Sequence, residues 1–252
     1  MSQDNRDKSG KGKLYLVPTP IGNLGDITKR ALEILESSEL IACEDTRLSG
    51  RLLSHFGIKN SLISYHDFNE EKQVPKLLEV ILSGGDVSVI TDAGSPGLSD
   101  PAYRIIRAAI DNDIIISPLP GPNALIPALT GSGLPLDRFF FEGFLPNKSA
   151  ARKNRLEKLK ELKHTLVFYE SPHRINKTVS DALEVLGDRP ACIAREISKM
   201  FEEYIRGTLS EILDSISSRK LKGEIVFIIE GVVRKKSKIK EIGGNFSDCE
   251  AL

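Results

Sequence analysis

Residues 92–101 read Asp-Ala-Gly-Ser-Pro-Gly-Leu-Ser-Asp-Pro and follow directly on the apolar run Val87–Ile90. A strand that ends in such a turn and passes into a helix leaves free backbone groups at the carboxyl edge of a sheet, where open α/β sheets bind their ligands. Ala102, Ile105, Ile106, Ala109 and Ile110 share one face of the helix that follows. Two further turns of the same kind occur, Pro18–Gly25 after Leu14–Val17 and Pro118–Asn123 after Ile114–Ile116. Gly and Pro punctuate turns everywhere, so each alone is an ordinary connection. Three of them at three strand ends point to one shared pocket, suited to a small polar cofactor gripped largely by main chain. No GxGxxG, GxxxxGK[ST] or GxSxG pattern is present, which argues against an ordinary dinucleotide fold, a P-loop NTPase and a serine hydrolase.

The elements that must hold these turns are legible as short apolar runs alternating with amphipathic segments. Leu14–Val17, Leu40–Cys43, Leu62–Ser64, Val87–Ile90 and Ile114–Ile116 read as strands. Between them lie helices with Ile27, Ala31, Leu32 and Leu35 on one side (Asp26 as N-cap), then Leu48, Leu52, Leu53 and Phe56, then Val74, Leu77, Leu78, Ile81 and Leu82. That alternation predicts a parallel, doubly wound α/β sheet. The stretch Pro118–Pro122 marks a boundary, dividing a first domain, 14–119, from a second, 120–233. In the second domain Phe139–Phe141, Leu166–Tyr169, Ala191–Arg195, Phe201–Arg206 and Glu224–Glu230 read as strands, with helices over Ala151–Leu162, Ile175–Leu186 and Leu209–Ile216. The span Arg195–Gly207 leaves no room for a crossover helix, so it predicts an antiparallel pair and a mixed α/β sheet. Residues 1–13 are expected to be a flexible lead. The segment 234–252, charged and then rich in Gly, Ser and Asp, is expected to be disordered.

The 252 residues carry 35 Lys and Arg against 35 Asp and Glu, so no global field advertises nucleic acid. The charge is unevenly placed. Seven Lys or Arg stand against two Glu between Lys148 and Lys163, and five basic residues occupy the seven positions Arg234–Lys240. Each run reads either as a solvated face or as a footprint for a polyanion. Cys43, Cys192 and Cys249 are scattered, and the four histidines form no HxxxH pair, so no metal site is expected. The start is polar, without the apolar core of a signal peptide, and no apolar run approaches the length of a membrane span. A cytoplasmic location is the expectation.

Five stretches together resemble a known family: residues 14–28 (Leu-Tyr-Leu-Val-Pro-Thr-Pro-Ile-Gly-Asn-Leu-Gly-Asp-Ile-Thr), 42–47 (Ala-Cys-Glu-Asp-Thr-Arg), 91–101, 120–124 (Pro-Gly-Pro-Asn-Ala) and 168–174 (Phe-Tyr-Glu-Ser-Pro-His-Arg). They are similar to the tetrapyrrole methylase superfamily and, within it, to the ribosomal RNA small-subunit methyltransferase I group. The resemblance runs from about Leu14 to Val233. It implies transfer of a methyl group from S-adenosylmethionine to the ribose 2′-hydroxyl of a cytidine in the decoding region of small-subunit (16S) ribosomal RNA, by a homodimer. It places cofactor contacts at Pro20, Ala93, Gly94, Ser95, Leu98, Asn123, Ala124, Glu170 and Ala191. The chain departs from the superfamily in having Gly94-Ser95-Pro96 where Gly-Asp-Pro is common, and in a longer first turn.

Methyl transfer from a sulfonium is an in-line displacement that chiefly needs two aligned reactants. A ribose hydroxyl is a weak nucleophile, so a proton acceptor is also expected. Asp45, His66, Asp100, Glu170 and His173 are the candidates, and Asp45 and Asp100 read equally well as helix caps. Arg47, Arg174 and Lys177 are candidates for phosphate. Asp45 and Arg47 are the pair expected to work beside the RNA. The competing readings are a small-molecule tetrapyrrole methylase of the same fold and a non-catalytic RNA-binding assembly factor.

Overall fold

The computed structural model describes residues 10–99 and 101–232. The expectations for the first residues, for Asp100, for Cys249 and for the basic run Arg234–Lys240 with its tail therefore lie outside the described residues.

The first half forms a five-stranded sheet of β1 (Leu14–Leu16), β2 (Leu40–Cys43), β3 (Leu62–Ser64), β4 (Val87–Ile90) and β5 (Ile116–Pro118). Their order is β3-β2-β4-β1-β5 and every pairing is parallel. β5 begins later than the apolar run suggests. The Ile114 N–H donates back to the Ala109 carbonyl at 2.9 Å, closing the preceding helix, and the chain enters the sheet only afterwards. Helices α1 (Lys29–Ser37), α2 (Thr46–His55), α3 (Glu70–Leu82) and α4 (Tyr103–Asp111) cover the two faces. Leu77, Ile81, Ile105 and Ala109 seal one face, and Ala31, Leu35 and Leu53 the other. Asp26 does not cap α1. It ends a short 3-10 turn capped by Asn23, and Thr28 takes the cap position, its Oγ1 accepting the Ala31 N–H at 3.1 Å.

The second sheet consists of β6 (Phe139–Phe144), β7 (Thr165–Glu170), β8 (Pro190–Arg195), β9 (Glu203–Thr208) and β10 (Ile225–Ile229), in the order β6-β7-β10-β8-β9. β6 and β7 are parallel and the remaining pairs antiparallel, including β8 with β9, where Pro190 faces Thr208 and Arg195 faces Glu203. Helices α6 (Ser149–Leu159), α7 (Ile175–Leu186) and α8 (Leu209–Ser217) bury Phe168 and Phe227 on one face. Both rings are fully buried, each worth about 1.5–3 kcal/mol of apolar transfer.

The other face is covered by α5 (Leu125–Ser132), a segment that the sequence reading assigns to no element. Its Leu-Ile-Pro-Ala-Leu-Thr-Gly-Ser sequence carries a Pro and a Gly and looks like a turn. Burial of Leu125, Ala128 and Leu129 against Val167, Cys192 and Val226 selects the helix instead. Gly131 fits there because a Cβ would stand 2.5 Å from the Tyr204 ring packed on it. The change from one sheet to the other thus falls between Pro118 and Leu125.

Candidate active site

The strand order puts β4, β1 and β5 side by side, so the three Gly- and Pro-rich turns at their carboxyl ends are neighbours. Thr19 and Gly94 exchange two backbone hydrogen bonds of 2.9 Å, joining the first turn to the second. The Ser95 hydroxyl donates to the Pro122 carbonyl at 3.3 Å and joins the second to the third. Between these turns and the second sheet lies a cavity of about 430 Å³, within the range of about 300–1,000 Å³ usual for small-molecule sites. One wall is Ala93, Gly94, Ser95 and Leu98 with Asn123 and Ala124. The opposite wall is built from the ends of β6 and β7 and the start of β10, with Phe144, Tyr169, Pro172 and Gly223. Glu44, at the end of β2, and Asp92 close a third side.

Seven of the expected cofactor positions, Ala93, Gly94, Ser95, Leu98, Asn123, Ala124 and Glu170, line this cavity, whereas Pro20 and Ala191 do not. Ala191 lies inside β8, paired with Ile229 and Gly207, and its side chain belongs to the core beneath the sheet. Several of the lining polar groups are committed to their own chain. The Glu170 carboxylate accepts from Thr178 Oγ1 at 2.6 Å, from the Ser171 N–H at 2.8 Å and from Arg174 Nη2 at 3.1 Å. Asn123 Oδ1 accepts the Ile126 N–H at 2.9 Å. These residues therefore offer a ligand mainly backbone and shape.

Asp45 and Arg47 are engaged with one another. Asp45 is the N-cap of α2, its Oδ1 accepting the Arg47 N–H at 2.8 Å while Arg47 Nη2 donates to Oδ2 at 2.8 Å. Hydrogen bonds from the Arg47 guanidinium and N–H hold the Asp45 carboxyl well below the usual carboxylate range. Neither residue lines the cavity. Glu44 and Asp92 do, and both are shifted the other way. Partial burial raises the Glu44 carboxyl, followed by the charges of Asp92 and Asp67. Partial burial likewise raises Asp92, with the charge of Asp45 adding to it. Asp92 Oδ1 accepts the Asp45 N–H at 3.2 Å, which fixes its orientation. A carboxylate poised at a higher pKa is the stronger proton acceptor, and sequence reasoning missed this pair. β2 and β4 are neighbours, and that adjacency alone brings position 44 beside position 92.

His66 is held within its own turn, Nδ1 accepting the Phe68 N–H at 3.3 Å, and His173 is exposed just beyond Pro172. Neither lines the cavity. The basic segment of α6 is largely paired. Arg152, 2% exposed, donates through Nε to Asp181 at 2.7 Å, Lys153 to Glu184 at 2.6 Å and Arg155 Nη2 to Glu142 at 2.6 Å. Among the described residues no group of His, Cys, Asp and Glu fits a metal ion, and no helix is long and apolar enough to cross a membrane.

The sequence profile of the tetrapyrrole (corrin/porphyrin) methylases matches residues 13–213 of this architecture. The chain belongs to that family. It is 45% identical over 234 residues to the ribosomal RNA small subunit methyltransferase I of Vibrio cholerae, covering 92% of this chain and 81% of that one. Its identity to the protein of the same name from Halalkalibacterium halodurans is 44% over 229 residues, 91% of this chain and 79% of the other. Among solved structures it is similar to a cobalt precorrin-4 methyltransferase, with a TM-score of 0.66 at 15% identity over 90% of this chain and 98% of that one. It is also similar to the uroporphyrin-III C-methyltransferase of Thermus thermophilus, with a TM-score of 0.61 at 19% identity over 86% of this chain and 94% of the other. At those identities the structural likeness concerns the fold alone.

Proposed function

We propose that this methyltransferase moves a methyl group from S-adenosylmethionine to the ribose 2′-hydroxyl of a cytidine in the decoding region of small-subunit ribosomal RNA. The observation that carries the reading is a glycine-lined cavity with a carboxylate pair on its wall, in a chain that follows the ribosomal RNA methyltransferases along most of its length. The cavity suits the methyl donor. Gly94 at φ +91° and Gly223 at φ +84° bring backbone to its two walls, and the carboxylates offer partners for an amine or a ribose. Bound there, the donor supplies an electrophilic methyl on a positive sulfur and a good leaving group.

The chain's own residues supply alignment and a destination for the proton. Holding two reactants in line is worth up to about 7–11 kcal/mol. The Glu44–Asp92 pair would take the hydroxyl proton released as the 2′-oxygen accepts the methyl group from the donor. Asp45 and Arg47 stand behind that pair, orienting Asp92 through the Asp45 N–H. The same reading has the protein work as a cytoplasmic homodimer.

Labelled S-adenosylmethionine incubated with small ribosomal subunits lacking the modification tests it. The label should map to one cytidine ribose. Label on a tetrapyrrole and not on the subunit, or a bound donor with no transfer at all, would replace the reading with one of its rivals.

A further inference from the structure

Phe144 lines the cavity yet is 58% exposed. Its ring leans on Tyr169 at 5.7 Å between centroids, and Tyr169 in turn meets Phe141 edge-on at 4.9 Å. A ladder of three rings thus runs from the core to the cavity mouth and ends in a ring that is more than half exposed. The loop after Phe144 is pinned by Arg174, whose Nη2 donates to the Leu145 carbonyl at 2.7 Å and whose Nη1 donates to Asn147 Oδ1. That contact joins the residue before Lys148, the N-cap of α6, to Arg174, the N-cap of α7, which follows His173 and stands three positions before Lys177. The acids on this edge are already neutralised, Glu142 by Arg155 and Glu170 by Arg174. Lys148 and Lys177 are exposed and have no carboxylate partner among the described residues. Neither α6 nor α7 carries a side-chain cap, and the first N–H of α7, at Ile175, donates to the Ser171 carbonyl at 3.1 Å.

We propose that Phe144 is the platform on which the base of the incoming nucleotide stacks, and that Lys148 and Lys177 hold the phosphates flanking it. The inference rests on the RNA reading above and deepens it by naming where an unstacked nucleotide is received. A base taken out of its stack must be held by another flat surface. The phosphates on either side then need cations or helix N-termini. Phe144 provides the first at the rim of the cavity, and the rim two loops away provides the second.

The test measures KM for small subunits lacking the modification, at saturating S-adenosylmethionine, with affinity for the donor followed separately by calorimetry. Phe144→Ala should raise KM about 5- to 150-fold, the range of one lost stacked base, and leave donor affinity unchanged. Phe144→Tyr should restore KM. The double variant Lys148→Glu, Lys177→Glu should raise KM and flatten its salt dependence. An equal loss of donor affinity in Phe144→Ala would make Phe144 part of the donor pocket and overturn the proposal, as would an unchanged KM in Phe144→Ala or in the double variant. If wild type transfers no methyl to the subunit, the RNA reading itself falls and the platform with it. If wild type is active and the rim variants behave like it, only the platform falls.

Discussion

The N–H and C=O of Gly94 are both spent on Thr19, in two hydrogen bonds of 2.9 Å that make one lip of the first two turns. The Thr91 hydroxyl donates to the same carbonyl at 3.4 Å, so both main-chain groups of Gly94 already have partners within the protein. Its contribution is conformational, a φ of +91° at the cavity wall where a Cβ would sit 3.6 Å from Ile21 Cγ2. There is room for a methyl group, but the backbone conformation is one that side chains rarely adopt.

Gly94→Val should consequently cost about 1–3 kcal/mol of strain and move the lip. Calorimetry should show S-adenosylmethionine affinity reduced at least about tenfold while circular dichroism still reports a folded protein. Thermal melting should register the strain separately. Unchanged donor affinity in a destabilised variant would mean that the lip does not border the bound donor.

The basic segment of α6 behaves, by its contacts, as a structural face and not as a general polyanion footprint. Arg152→Ala leaves the buried Asp181 with only the Ser149 hydroxyl and Lys153 at 3.7 Å, and should cost up to about 3–5 kcal/mol. Lys158→Glu, at a position with no carboxylate partner among the described residues, should change stability by no more than about 0.5 kcal/mol. Combining Lys153→Glu, Arg155→Glu and Lys158→Glu should lower the melting temperature, because contacts to Glu184 and Glu142 turn repulsive. Its salt dependence of RNA binding should match wild type. A large drop in RNA affinity without loss of stability would restore the footprint reading.

What could be read from the chain follows from where the physics is local. β2 and β4 lie where the apolar runs place them because a parallel strand covered on both faces is largely apolar, and the half-buried edge strand β3 falls where its short run places it. The turn after β4 stood out because Gly94 (φ +91°) and Gly97 (φ +83°) take a conformation that favours glycine whatever surrounds them. α5 did not, since its helical state is imposed by the sheet it covers and its own Pro127 and Gly131 argue the other way. The Glu44–Asp92 pair was likewise hidden. Asp45 and Arg47 are sequence neighbours whose charge pair is visible in the chain, and they drew attention from a pair made only by strand adjacency. Ala191, carried over by resemblance, faces the core in this structure.

The ribose assignment makes a chemical demand independent of any residue. A subunit reconstituted with 2′-deoxycytidine at the target has no nucleophilic oxygen and should accept no methyl group. Mass spectrometry of the nucleosides reads this directly. Methylation that survives the replacement would move the reaction to the base.

The last prediction separates the two candidate proton acceptors by pH. The acceptor must be ionised, so the rate falls as pH drops through its pKa in the folded protein. Glu44 and Asp92 are raised, which puts the fall in kcat/KM above the ordinary carboxylate range of about 3.9–4.3. Asp45 is lowered by Arg47, so an acceptor at Asp45 would stay ionised until well below that range and show no such fall. Asp92→Asn and Glu44→Gln should each reduce turnover, by about 10²–10⁴-fold for whichever member takes the proton. Removing the Asp92 charge also relieves Glu44, so the residual activity of Asp92→Asn should persist to lower pH than wild type. Asp45→Asn should keep turnover within about tenfold, because Asn caps a helix as well as Asp does. A pH profile flat down to the ordinary carboxylate range, together with a collapse of turnover in Asp45→Asn, would return the role to Asp45.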